Sequence, residues 1–113
     1  MNVSINKKQR KDGSVLYVRG EIDAYTAPLV SEQLLPLVSE AESKSVSVDL
    51  RDVSYMDSTG VGVLIGALKA SRQSGCQLVL ENVTPRIERL FRITGLSDII
   101  PVKPLGGEEK EWE

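Results

Sequence analysis

Residues 45–75 read S-V-S-V-D-L-R-D-V-S-Y-M-D-S-T-G-V-G-V-L-I-G-A-L-K-A-S-R-Q-S-G, and the apolar period changes inside this stretch. Over residues 45–50 polar and apolar residues alternate, with Val46, Val48 and Leu50 on one side. That pattern predicts a half-buried strand. From Ser58 to Ser74 the apolar residues Val61, Leu64, Ile65 and Leu68 recur at helical spacing, which predicts a helix with one buried stripe. Gly75 is placed to end that helix in the left-handed conformation. Residues 77–81 then read as another short strand. Strand, helix and strand in this order require a parallel crossover. Residues 51–57 are expected to be a loop, with Ser58 as the helix N-cap.

The flanks extend the unit in both directions. Residues 2–6 alternate and residues 14–20 form a second strand. Lys11-Asp12-Gly13 between them is a turn signal, so the two are expected to pair as an antiparallel hairpin. Val30, Leu34, Leu37, Val38 and Ala41 then fall on one helical face, with Thr26 as N-cap and Pro28 in the first turn. Pro36 removes a hydrogen bond and clashes with the preceding turn, which predicts a kink or break over residues 32–36. On the C-terminal side, Thr84-Pro85 opens a third helix with Ile87, Leu90 and Phe91 buried and Gly95 as its stop. Residues 99–102 read as the last strand. The order β-β-α-β-α-β-α-β predicts an α/β domain: a small mixed sheet with a hairpin followed by β-α-β crossovers, packed with helices. The domain is expected to span residues 1–103, with residues 104–113 a mobile acidic tail in which Trp112 has no evident role.

Composition narrows the function. The chain has 113 residues, no histidine and one cysteine, Cys76. No Ser-His-Asp triad, imidazole ligand or histidine switch can be built, and no intrachain disulfide. A zinc site has one candidate ligand, so no metal is expected. Net charge is −2, and residues 108–113 hold four Glu and one Lys. The body is therefore near neutral, which offers no basic field for nucleic acid. The longest apolar run, residues 61–68, is broken by Gly62 and Gly66 and falls far short of the roughly 20 residues of a membrane span. The N-terminus lacks the apolar core of a signal peptide, so the expected compartment is the cytoplasm.

The chemistry concentrates in residues 53–66. A dinucleotide fingerprint would place Gly60, Gly62 and Gly66 after a strand and Glu81 at a ribose. The spacing here, G-x-G-x-x-x-G, departs from that pattern, and the expected loop separates strand from glycines. A Walker loop needs Lys directly after its last glycine, where Ala67 stands. Asp57-Ser58-Thr59-Gly60 is off by one residue from an aspartic-protease loop, and it supplies one carboxylate where two must share a site. A serine nucleophile needs an activating base, and Lys69 lies about three helical turns away. There remains a hydroxyl at the start of a helix. Ser58 there is either an ordinary cap or an exposed acceptor. A phosphate at that point gains from the helix dipole and free N–H groups, so the fold would tolerate it. A docked partner would meet about −1.5 to −2 new charges beside Asp57.

Four motifs in order, G-E-I-D at residues 20–23, V-D-L-R-D-V at 48–53, Y-M-D-S-T-G-V-G at 55–62 and L-F-R-I-T-G-L at 90–96, resemble the STAS domain of bacterial anti-sigma-factor antagonists, of the general-stress and sporulation type. The resemblance implies a binding module rather than an enzyme, without a cofactor. The unphosphorylated form binds an anti-sigma factor that is also a serine kinase, and so releases the sigma factor. The kinase inactivates the antagonist by phosphorylation, and a separate serine phosphatase restores it. The acceptor carries over to Ser58. Asp23, Tyr55, Met56, Asp57, Thr59, Gly60 and Gly62 are implied to form the partner surface, although Asp23 reads equally as a local cap. No exposed apolar stripe asks for a dimer, so a monomer is expected. Two other readings stay open: a STAS domain with another partner, such as a stressosome or lipid-transport component, and a small nucleotide-binding protein.

Overall fold

The computed structural model describes residues 2–40 and 44–106. Strand β1 (Val3–Arg10) pairs antiparallel with β2 (Gly13–Ile22), from Val3 opposite Gly20 to Arg10 opposite Gly13. Helix α1 (Ala27–Ser39) leads to β3 (Ser45–Met56), α2 (Ser58–Ser74) to β4 (Gln77–Val83), and α3 (Pro85–Thr94) to β5 (Val102–Pro104). The five strands lie side by side in sequence order, and every pair after the hairpin is parallel. This is the mixed α/β sheet that the alternating pattern predicts.

Gly13 shows why the hairpin turn ends in glycine. A Cβ there would overlap the backbone carbonyl of Ser45, so only glycine lets β2 and β3 start side by side.

Crossovers of this kind are right-handed. Along a sheet whose strands advance steadily in one direction, that places all three helices on one face. Burial follows the same parity. Leu16 and Val18 of β2, Val46, Val48 and Leu50 of β3, and Leu78 and Leu80 of β4 join the helices in one core. Val15 and Val79 are also buried but lie outside that cluster, on the opposite face. From α3 the core receives Ile87 and Phe91, with Leu90 packed against it.

Within these elements the structure corrects three expectations. Six of the seven residues expected as a loop belong to β3, which runs on to Met56, and the seventh, Asp57, opens α2. Two bulges explain the misreading. Between the Tyr17–Asp49 and Arg19–Asp52 pairs, and again between Gly20–Val53 and Glu21–Tyr55, β3 carries one more residue than β2. Its buried residues therefore fall at Leu50, Val53 and Met56, a spacing of three that hides the strand. Asp49 fastens the first bulge, accepting from the Arg51 N–H at 3.0 Å and the Asn82 side-chain amide at 2.7 Å.

Pro36 does not break α1, which is continuous across it. The proline and Glu32, the residue whose carbonyl it leaves unbonded, are both exposed, so water can take over that acceptor. The last strand is Val102–Pro104, after a 3-10 turn at Leu96–Asp98, not residues 99–102. Thr26 is the N-cap of α1, its carbonyl accepting from the Leu29 and Val30 N–H groups, but its side chain makes no cap bond to the helix. Gly75 and Gly95 end α2 and α3 with φ of 83° and 82°. No helix among the described residues is long and apolar enough to cross a membrane. Ala41 and residues 107–113, with Trp112, lie outside the described residues.

Candidate functional site at the start of α2

Parallel strands bring the N-termini of α1 and α2 to the same end of the sheet, beside the C-terminal ends of β2 and β3. The Asp57 N–H donates to the Ile22 carbonyl at 3.2 Å and ties those two strand ends together. Asp57, not Ser58, is the N-cap. Its Oδ1 accepts from the Thr59 N–H at 2.9 Å and the Gly60 N–H at 3.4 Å, and its carbonyl accepts the first helical bond from Val61. Ser58 is thereby the first helical residue. Its side chain is exposed, and among the described residues its hydroxyl has no hydrogen-bond partner. α2 has no acidic residue in its first turn, so Asp57 is the charge nearest the Ser58 hydroxyl on that helix.

The other residues divide by depth. Tyr55, Thr59 and Gly62 are exposed, and Asp57 is half-buried. Met56 and Gly60 belong to the core. A Cβ on Gly60 would come within 2.6 Å of Met56 Cγ and 2.8 Å of Ile22 Cγ2, so this glycine lets α2 sit close on the sheet. Gly62 does not serve this packing: a Cβ there would meet nothing within 4 Å.

Asp23 occupies the turn between β2 and α1. Its Oδ1 accepts from the N–H groups of Tyr25 at 2.9 Å and Thr26 at 3.1 Å, while its own N–H donates to the Thr26 hydroxyl at 2.9 Å. That hydroxyl in turn donates to the Glu21 carbonyl at 2.7 Å, which satisfies buried Thr26. The Thr26 N–H, and after it that of Tyr25, holds the Asp23 carboxyl below its ordinary range. The local-cap reading of Asp23 therefore describes its contacts. The turn also presents Tyr25, 85% exposed, with Leu29 one helical turn on and 47% exposed. Neither follows an apolar period, and an aromatic between two turn residues is the one signal the sequence offered for Tyr25.

Because β3 reaches Met56, the glycines follow it without a loop. What separates this corner from a dinucleotide fingerprint is then the glycine spacing and the position of Gly60 and Gly62 inside α2. A groove of about 820 Å³ lies elsewhere, along the starts of β2, β3 and β4, lined among others by Gly13, Ser45 and Gln77.

Comparison with known proteins agrees with this fold. The STAS domain family model matches residues 4–108. An anti-sigma-B factor antagonist from Listeria monocytogenes is 50% identical over 109 residues, 96% of this chain and 95% of that protein. The anti-sigma-B factor antagonist of Bacillus subtilis is 44% identical over 102 residues, 90% of this chain and 92% of that protein. A crystal structure of an anti-sigma factor antagonist from Mycobacterium paratuberculosis superposes with a TM-score of 0.80 at 24% identity, covering 91% of this chain and 86% of that one. The chain belongs to the STAS domain family, as a regulatory binding module of the anti-sigma-factor antagonist, partner-switching type, and is not an enzyme.

Proposed function

We propose that Ser58 is the phosphoacceptor that switches this antagonist. The observation that carries the reading is an exposed, uncommitted hydroxyl on the first residue of α2, held at a rigid corner by the Asp57 cap. The unphosphorylated chain, a cytoplasmic monomer, binds an anti-sigma factor that is also a serine kinase, and the sigma factor is released. By its name the Listeria relative opposes an anti-sigma-B factor, and this makes an anti-sigma-B factor the partner to test. Tyr55, Asp57, Thr59 and Gly62, with the Asp23 turn, form the contact surface, while Met56 and Gly60 support it from beneath. The base and ATP belong to the partner, which suits a chain without histidine. The γ-phosphoryl group passes from ATP to the Ser58 oxygen, ADP leaves, and the hydroxyl proton goes to the kinase. About −1.5 to −2 charges then stand beside Asp57 and repel acidic groups across the interface. A serine phosphatase reverses the step by hydrolysis.

The test uses purified anti-sigma-B factor from Listeria monocytogenes with ATP. Ser58→Ala should bind and take up no phosphate. Ser58→Asp should lose about 2–3 kcal/mol, or about thirty- to 150-fold in affinity. Phosphate on Ser58→Ala, or unchanged affinity of Ser58→Asp, argues against Ser58 as the switch.

A further inference from the structure

We infer that Tyr25 is the aromatic anchor of the partner surface and that Asp23 is its positioning residue. The inference rests on the reading that a protein docks at Ser58. Adjacent packed helices lie about 8–10 Å apart. α1 and α2 pack on each other, and both begin at the same end of the sheet, so the turn before α1 stands about one helix width from Ser58. A specific interface covers roughly 800 Å² of each partner, which is far wider than that gap. A protein reaching Ser58 therefore also covers the Asp23–Thr26 turn.

At that turn Tyr25 is 85% exposed, the most exposed of the large apolar and aromatic side chains among the described residues. Its backbone does not wander: the Tyr25 and Thr26 N–H groups are both held by Asp23 Oδ1. A ring with two rotatable side-chain bonds on a fixed backbone loses little entropy when it is buried, and interface anchors are enriched in tyrosine for that reason. Leu29, half-exposed on the next turn, extends the apolar surface. The partner feature that fits is an apolar recess beside its kinase site, taking the Tyr25 ring and brushing Leu29. This gives Asp23 a definite role: its carboxylate accepts from the two N–H groups of the turn that carries the ring.

The experiment measures affinity for Listeria monocytogenes anti-sigma-B factor by calorimetry, with urea unfolding of each variant alongside. Tyr25→Ala should weaken binding tenfold or more, with an unchanged unfolding midpoint. Tyr25→Phe should restore it to within about threefold. Asp23→Ala should weaken binding, and Asp23→Asn, which keeps an acceptor oxygen, should recover most of the loss. If the wild-type chain binds and Tyr25→Ala binds within twofold of it, the anchor assignment is overturned while the Ser58 reading stands. If the wild-type chain neither binds nor takes phosphate, the reading beneath it fails and the anchor falls with it.

Discussion

Two glycines two residues apart on α2 make opposite predictions. Gly60 faces the core, where an added methyl meets Met56 and Ile22. Overpacking typically costs about 1–3 kcal/mol, and the helix gains about 1 kcal/mol from alanine. Gly60→Ala should therefore lower unfolding free energy by up to about 2 kcal/mol in urea titration. Gly62 faces open space, and its only intrinsic effect on the helix is unfavourable. Gly62→Ala should stabilise the fold by about 0.5–1 kcal/mol and, if the partner backbone lies close along α2, weaken binding at the same time. A variant more stable and equally tight would remove Gly62 from the contact surface. The cap is a third test at this scale. Asp57→Ala frees the Thr59 and Gly60 N–H groups and should cost about 1 kcal/mol, whatever becomes of Ser58.

At the scale of elements, α1 carries a proline that its neighbours tolerate without favouring. The position is exposed, so nothing in the core needs the ring. Pro36→Ala should restore the bond to the Glu32 carbonyl and raise unfolding free energy by about 1–3 kcal/mol, less whatever the proline now gains by stiffening the unfolded chain. An unchanged urea midpoint would mean that the helix has already adapted around the ring. The same residue marks the limit of what could be read from the sequence. A host–guest penalty predicts a break, but the penalty is set in isolated helices, and here Val30, Leu34, Leu37 and Val38 bury the opposite face. The alternation at Val46, Val48 and Leu50 and the stripe of α2 were legible because each keeps one period. β3 beyond Leu50 was not, because two bulges replace a period of two by a spacing of three. At the site, Ser58 was legible as a helix-start hydroxyl. Its freedom was not, since that depends on Asp57 taking the cap, and an aspartate followed by a serine leaves both as cap candidates. Tyr25 was hidden because exposure in a turn has no periodicity.

At the scale of the molecule, right-handed crossovers along a steadily advancing sheet put every helix on one side and leave the other to side chains alone. Arg10 spans that open face. From β1 it donates through Nη1 and Nη2 to the two carboxylate oxygens of Glu81 on β4, each at 2.9 Å. It thus ties the edge strand to a strand 71 residues away in sequence. The Arg10 guanidinium holds the Glu81 carboxyl below its ordinary value of 4.5, against the opposing effect of burial. The sign follows from that direction. A carboxyl whose folded-state pKa is depressed contributes stability in full above its unfolded value, and loses it as pH falls through the folded one. Arg10 is 44% exposed and Glu81 15%, so solvent screens the pair, and its worth at neutral pH should stay below about 1 kcal/mol. Glu81→Gln should accordingly lower unfolding free energy by that modest amount at pH 7, and less in high salt. The gap to the wild-type chain should narrow as pH drops below 4.5, where protonation makes the native glutamate resemble the glutamine. A gap that stays constant from pH 7 to pH 3 would show that Arg10 and Glu81 act through packing of their stems rather than through charge.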